Sequence, residues 1–344
     1  MYKLTEFDPK NSIAMFSQLD LWELLVEIMN PDLSSNSNPE NSYLMISKGT
    51  DFLNLIFCRD GQISDFLFNS TSLFIYVLKW LKRIIKDIQS QNNETLNDTL
   101  ESILNFIATS FEINEDLCFL FLNKFFLEKQ KKSKTDNKFT GFINIYKTFS
   151  FLLTNTTSYT LTSSIQKIII LITPKWPYAS DILSSLDDNN EIIGEQLILS
   201  LNANFKKLVS ELKDKKIGSD EFFQKKNILF ICLSSLLLVD QNCKITFILS
   251  GFFNEVVKEF ERKVDELLID EKELNSTKNK ERFSVKQLFS KSIEKSNPQD
   301  DIILFIKILK SLFYEKEFLE ANIKKNTQIF GNFYYFFERI INYC

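Results

Sequence analysis

Apolar residues recur along this chain with the period of an α-helix. Leu21, Leu24, Leu25 and Ile28, for example, are spaced to form one apolar stripe on a helix. The same period predicts helices over most of the chain, and the pattern therefore predicts an all-α fold. The predicted segments are 43–58, 71–90, 95–112, 115–131, 139–154, 160–173, 191–214, 220–239, 251–272, 299–314 and 327–342.

Short polar stretches separate groups of these helices. The main ones lie near 30–41, 132–138 and 275–281, and each is too short to be a flexible interdomain linker. The chain has only 6 prolines and 7 glycines, so it lacks the turn residues that a β architecture of this length requires. We therefore predict that 1–344 forms a single helical-repeat domain.

An internal repeat is the most informative feature of the sequence. Three segments, 73–85, 252–264 and 329–341, align on an arginine and share apolar residues at the same distances from it. The whole chain has only five arginines, so three in one aligned position are not expected from composition alone. Each segment follows a long apolar helix and a predicted short helix, the short ones at 62–68, 243–249 and 317–324. The aligned arginines are Arg83, Arg262 and Arg339.

This succession of a long helix, a polar break, a short helix and a longer helix resembles the armadillo repeat. The turns around 240–244 and 250–253 are similar to the turns between armadillo helices. The resemblance implies a right-handed α-solenoid of armadillo or HEAT type, and it extends to myosin-directed co-chaperones and to ataxin-10-like proteins. The alternative is an irregular all-α domain whose helices share only an amphipathic pattern.

The composition argues against most enzyme classes. The chain has no histidine, which is the most common general base and zinc ligand. Its five cysteines are far apart and its glycines are isolated, so neither a paired-cysteine metal site nor a phosphate-binding loop is present in the sequence. We predict a non-enzymatic protein with no cofactor, no metal and no small-molecule substrate. The alternative is an enzyme that uses Asp or Glu with a bound metal.

The net charge and the hydropathy of the chain limit the classes of partner that we expect. The net charge is −4, which argues against steering towards nucleic acid, and the basic clusters at 129–138, 206–216 and 278–282 are interpreted as solvated faces. The longest mainly apolar run, 228–239, has twelve residues and is interpreted as a core helix rather than a membrane span. With no signal peptide indicated, we expect an intracellular protein, cytoplasmic or nuclear.

The remaining candidate sites are helix faces. On the helix 71–90, Tyr76, Lys79, Trp80 and Arg83 lie together opposite the apolar stripe. The armadillo resemblance places this helix in the concave groove, where an aromatic residue beside a cation suits an extended peptide. In the alternative interpretation, Tyr76 and Trp80 are core residues and the arginines pair with nearby acids. The candidates on the other two aligned helices are Lys258, Arg262, Asn332, Tyr335 and Arg339.

The sequence thus predicts a scaffold or adaptor that binds another protein along a concave helical-repeat surface. Such stacks expose long surfaces and bury only contacts between neighbouring repeats. The alternative function is a helical regulatory subunit of a larger enzyme or of a chromatin or cytoskeletal complex. A regulatory subunit would present one flat apolar patch in place of a groove.

Overall fold

The all-α prediction is confirmed. The computed structural model describes residues 39–57, 73–90, 94–113, 117–118, 140–156, 158–187, 190–262 and 298–312. Helices account for 88% of these residues, and no strand occurs among them. The only bridge between extended residues in the described ranges joins Leu186 to Ile192.

The helices follow the predicted segments closely wherever the structure describes them. They are α1 Pro39–Phe57, α2 Leu73–Ser90, α3 Glu94–Ile113, α4 Thr140–Asn155, α5 Tyr159–Ile172, α6 Ala179–Leu183, α7 Ile193–Lys213, α8 Ser219–Val239, α9 Gln241–Leu249, α10 252–262 and α11 Pro298–Leu312. A short 3₁₀ turn, Thr173–Lys175, follows α5.

Two departures from the predicted segments have simple causes. The helix α1 begins at Pro39, inside the predicted polar break 30–41, because proline is well suited to the first helical turn. The helix α6 was not predicted, since five residues are too few to display a helical period. The other polar breaks and the segment 327–342 lie outside the described residues, as do most of 115–131 and the end of 251–272.

Five helices form a row that follows chain order. In this row, here called the main row, α1 contacts α3, α3 contacts α5, α5 contacts α8 and α8 contacts α11. The remaining long helices pack against it: α2 on α3, α4 on α5 and α7 on α8. The helices α4, α7 and α9 also contact one another in sequence order. Each helix therefore packs mainly on helices that are close to it along the chain.

The first two pairs of neighbouring helices in the main row, α1 with α3 and α3 with α5, run parallel. Between α1 and α3, the Thr99 hydroxyl donates to the carbonyl of Tyr43 at 3.1 Å, and the Ser47 and Ser102 hydroxyls are 3.0 Å apart. The contact position advances in the same direction along both helices, which requires a parallel arrangement.

The same test gives parallel packing for α3 with α5. Ser158 just before α5 donates to Glu101, and Lys167 further along α5 pairs with Glu112 at 3.1 Å. At the next position in the row, Lys225 near the start of α8 lies 4.4 Å from the ring centroid of Tyr159, the first residue of α5.

The helices α4 and α7, which pack beside the main row, are arranged in the same way. The Ser150 and Ser200 hydroxyls are 2.9 Å apart, and the Asn204 amide donates to the carbonyl of Leu153 at 2.9 Å. These two helices are therefore also parallel, and buried hydroxyl groups mark the point where they meet.

The start of α9 packs closely against the start of α7. Asp240 caps α9, because its Oδ2 accepts a hydrogen bond from the Cys243 backbone N at 2.8 Å. A Cβ at Gly194 on α7 would lie 2.8 Å from the Cys243 Sγ and 3.0 Å from the carbonyl oxygen of Leu183. Glycine at this position therefore allows the two helices to approach.

The helix α8 combines an apolar sequence with a central position. It is long and apolar enough to cross a membrane by length and composition, and 56% of its most apolar window is buried inside the protein. Lys225 and Lys226 lie in its first half and are themselves buried. The absence of a membrane span stays a prediction.

Large apolar side chains from every part of the described chain form one continuous core. Trp80 of α2 belongs to this core and is 1% exposed. The core alternative for Trp80 is therefore confirmed. The largest fully buried side chains are Trp80, Tyr146, Phe106, Phe111, Phe149, Phe205 and Phe222.

We expect Trp80→Ala to lower the free energy of unfolding by about 3–5 kcal/mol, because the substitution leaves a large cavity in the core. The matched control is Lys79→Ala, which changes the adjacent exposed residue and should alter stability by less than about 0.5 kcal/mol. Urea unfolding of the full chain measures both. Equal effects of the two substitutions would contradict the core position of Trp80.

Candidate functional site

The α2 candidate face is only partly exposed. Lys79 is exposed, Tyr76 and Arg83 are partly buried, and Trp80 is buried. The Lys79 Nζ lies 4.9 Å from the ring centroid of Tyr76, and the Arg83 Cζ lies 5.5 Å from the ring of Trp80. Two cations of this surface therefore lie over aromatic rings of the same helix.

Arg83 is linked to α1 through a carboxylate. Its Nε lies 3.9 Å from the Asp87 Oδ2, and the same oxygen accepts a hydrogen bond from the Tyr43 hydroxyl at 2.7 Å. Burial, followed by the hydrogen bond to Asp87, raises the pKa of Tyr43 to about 12. The alternative in which the arginine pairs with a nearby acid is the geometry found here.

Arg262 on α10 has a stronger version of the same contact. Its Nη2 and Nε lie 2.8 Å and 3.0 Å from the two carboxylate oxygens of Glu259, a bidentate pair. Lys226 of α8 lies 3.6 Å from Glu259 Oε1, and its side chain is only 2% exposed. The exposed candidate Lys258 pairs instead with Glu255 at 3.1 Å.

The two aligned arginines in the described residues, Arg83 and Arg262, have the same pattern of contacts. Each bonds an acid on its own helix, and that acid contacts the long helix that precedes the arginine helix in sequence: α1 through Tyr43 and α8 through Lys226. Sequence reasoning placed Glu259 on the same helix face as Arg262, but it did not name Asp87, which follows its arginine in sequence. The available signal was an acid within one helical turn of each arginine. Asn332, Tyr335 and Arg339 lie outside the described residues.

The thiol groups in the described part of the chain are poorly suited to nucleophilic chemistry. Cys118, Cys232 and Cys243 are buried and free. Burial raises the pKa of both the Cys232 and the Cys243 thiol, so these groups stay protonated at neutral pH. The described residues also contain no group of three metal-ligating side chains.

The carboxylate of Asp187 contacts a backbone amide and a lysine. Its Oδ1 accepts a hydrogen bond from the Glu191 backbone N at 3.0 Å, and its Oδ2 lies 3.3 Å from the Lys147 Nζ. Asp187 therefore closes the loop before α7 and joins it to α4.

Comparison with known proteins gives no match to a protein-family model, to a curated protein or to a solved structure. The resemblance to armadillo and HEAT repeats therefore rests on the residues of this chain alone. The candidate surface consists of exposed Lys79 and Lys258 and of two arginines, Arg83 and Arg262, that contact carboxylates.

We expect Glu259→Gln to lower the free energy of unfolding by about 3 kcal/mol, because it leaves the buried Lys226 ammonium without its carboxylate. Glu255→Gln on the same helix is the matched control. Its partner Lys258 is exposed, so the loss should stay below about 1 kcal/mol. Guanidinium unfolding compares them, and a control loss as large as that of Glu259→Gln would contradict a structural role for the buried cluster.

Proposed function

We propose that this chain is a non-enzymatic scaffold or adaptor that binds another protein along a helical-repeat surface. The proposed architecture is a right-handed α-solenoid of armadillo or HEAT type. Its place of action is intracellular, in the cytoplasm or the nucleus. The partner is a protein, and the proposal involves no nucleic acid, membrane span, cofactor or small-molecule substrate.

The observation that carries this proposal is the order of the main row. Its helices contact one another in chain order, and the pairs with two contacts along their length run parallel. In a solenoid each repeat contacts only its neighbours and places its helices parallel to those of the next repeat. A bundle of long-range contacts would lack this order.

The proposed binding face includes the exposed cations on the arginine helices. Lys79 is exposed beside Tyr76, and Lys258 is exposed beside Arg262. Asn332, Tyr335 and Arg339 extend the face by the repeat alignment alone. Trp80 supports this face from the core rather than contacting a partner.

A second candidate function, a helical regulatory subunit, is favoured by an apolar patch. The helices α8 and α11 contact each other, and Ile231, Leu238 and Ile303 on them are 38%, 40% and 50% exposed. Exposed apolar side chains on adjacent helices are typical of surfaces that bind another protein.

Affinity capture with the tagged full chain, followed by mass spectrometry, tests the scaffold proposal. We expect Lys79→Ala/Arg83→Ala to fold normally and to weaken capture of a specific partner at least about tenfold, or roughly 1.4 kcal/mol. The control Lys307→Ala/Lys310→Ala removes two exposed charges on α11 and should capture the partner as the wild type does.

Two outcomes would contradict the scaffold proposal as stated. If the wild type captures no specific protein, the binding function is wrong. If Lys79→Ala/Arg83→Ala keeps every partner while Ile231→Ser/Leu238→Ser loses them, the apolar patch and the regulatory-subunit function replace the groove.

A further inference from the structure

An exposed surface on α4 and α7 combines apolar and basic side chains. Phe151 on α4 is 49% exposed and Leu199 on α7 is 51% exposed. Phe151 follows Ser150 and Leu199 precedes Ser200, and these two serines contact each other at the helix interface. Successive residues of an α-helix are about 100° apart around its axis. In two parallel helices, the residue after a contact residue on one helix and the residue before the contact residue on the other therefore project to the same side of the pair. Phe151 and Leu199 therefore project from one side of the α4–α7 pair.

Lysines continue this surface along α7. Lys206 and Lys213 lie 7 and 14 residues after Leu199, so they fall on the same stripe of the helix, about 10 Å and about 21 Å along its axis. Lys207 lies beside them, and all three lysines are exposed. We call this surface, made of Phe151, Leu199, Lys206, Lys207 and Lys213, the α7 face.

The lysines of the α7 face differ from Lys216, which lies just after the helix. Lys216 pairs with Asp214 at 3.3 Å. Lys206, Lys207 and Lys213, in contrast, form no ion pair within the described part of the chain. The face therefore holds three lysine ammonium groups outside any ion pair, on a chain whose net charge is −4.

The helices under the α7 face hold it in place. Ser200 shares hydrogen bonds with Ser150 and with Thr154, and Asn204 bonds the carbonyl of Leu153. Gly194 fixes the start of α7 against α9. The apolar anchor and the lysines thus keep a fixed separation, which favours a ligand of matching spacing.

We infer that the α7 face binds an acidic segment of a partner protein, with one apolar side chain on Phe151 and Leu199 and carboxylates on the three lysines. An extended segment advances about 3.3 Å per residue, so about six residues after the anchor reach Lys213. This assignment rests on the proposed function only in that the partner is a protein. It does not involve Lys79, Arg83 or Lys258.

Fluorescence anisotropy with the full chain tests the assignment. The probe is a fluorescein-labelled peptide with two leucines followed by about six glutamates, and a second peptide replaces the leucines by serines. We expect the first peptide to bind, to bind more weakly as salt is raised, and to bind at least about tenfold more tightly than the second.

Charge reversal identifies the surface. Lys206→Glu/Lys207→Glu/Lys213→Glu should weaken the peptide at least about tenfold, and Phe151→Ser/Leu199→Ser should remove the preference for leucines. The matched control Lys48→Glu/Lys307→Glu/Lys310→Glu makes the same change in net charge at exposed positions elsewhere and should bind within about twofold of the wild type. Thermal unfolding checks that every variant is folded.

Several results would overturn the assignment. The first is that the leucine peptide does not bind, and the second is that the control variant and the α7 variant lose equal affinity for it. The third is that oligouridine RNA or phosphatidylserine vesicles bind more tightly than the peptide and depend on the same lysines. If the peptide fails but affinity capture still depends on Lys79 and Arg83, only the α7 assignment is wrong. If the peptide binds through the α7 face and capture finds no dependence on Lys79 and Arg83, the groove on the arginine helices is wrong instead.

Discussion

Parallel, side-by-side packing of helices that are close in sequence is the constraint on which the rest of this structure depends. Each long helix buries an apolar face against its neighbours in the row, and the hydrophobic core is continuous because these contacts overlap. Hydroxyl groups lie at several crossings, as with Ser47 and Ser102, or Ser234 and Ser311. A buried hydroxyl costs free energy without a partner, so these pairs favour one register over shifted ones.

Charged side chains add a second constraint where the arginine helices pack on the long helices before them. Glu259 holds the ammonium group of Lys226 and the guanidinium group of Arg262 between α8 and α10, and Asp87 joins α2 to α1 through Tyr43. The pair of Lys226 and Glu259 is buried, and breaking a buried ion pair is costly even though its net contribution to stability is small. The Glu259 cluster therefore helps to fix how α10 docks on α8, and Arg83 and Arg262 each share a carboxylate with the long helix before them.

The sequence predicted the helices well and their partners poorly. The apolar period defined nearly every described helix, because burial on one face leaves a pattern in the sequence. It did not reveal which helix covers which, since an amphipathic stripe carries no information about its neighbour. The lysines at 206–216 were interpreted as a solvated face, and only the parallel contact of Ser150 with Ser200 placed Phe151 and Leu199 beside them. Trp80 was assigned to a face that also allowed a core position, and three-dimensional packing decided between the two.

Disulfide trapping tests the register of the packed helices most directly. Cysteines replace both serines in each of three contacting pairs: Ser47/Ser102, Ser150/Ser200 and Ser234/Ser311. The hydroxyl oxygens of these pairs are 3.0, 2.9 and 2.8 Å apart, so the cysteines are within reach of a disulfide. The control pairs Ser47 with Ser110, which lies about 12 Å further along α3. The account predicts that oxidation closes all three pairs in the folded chain, as measured by intact mass, and leaves the control open. Closure of the control pair, or failure of the three, would contradict this register of the packed helices.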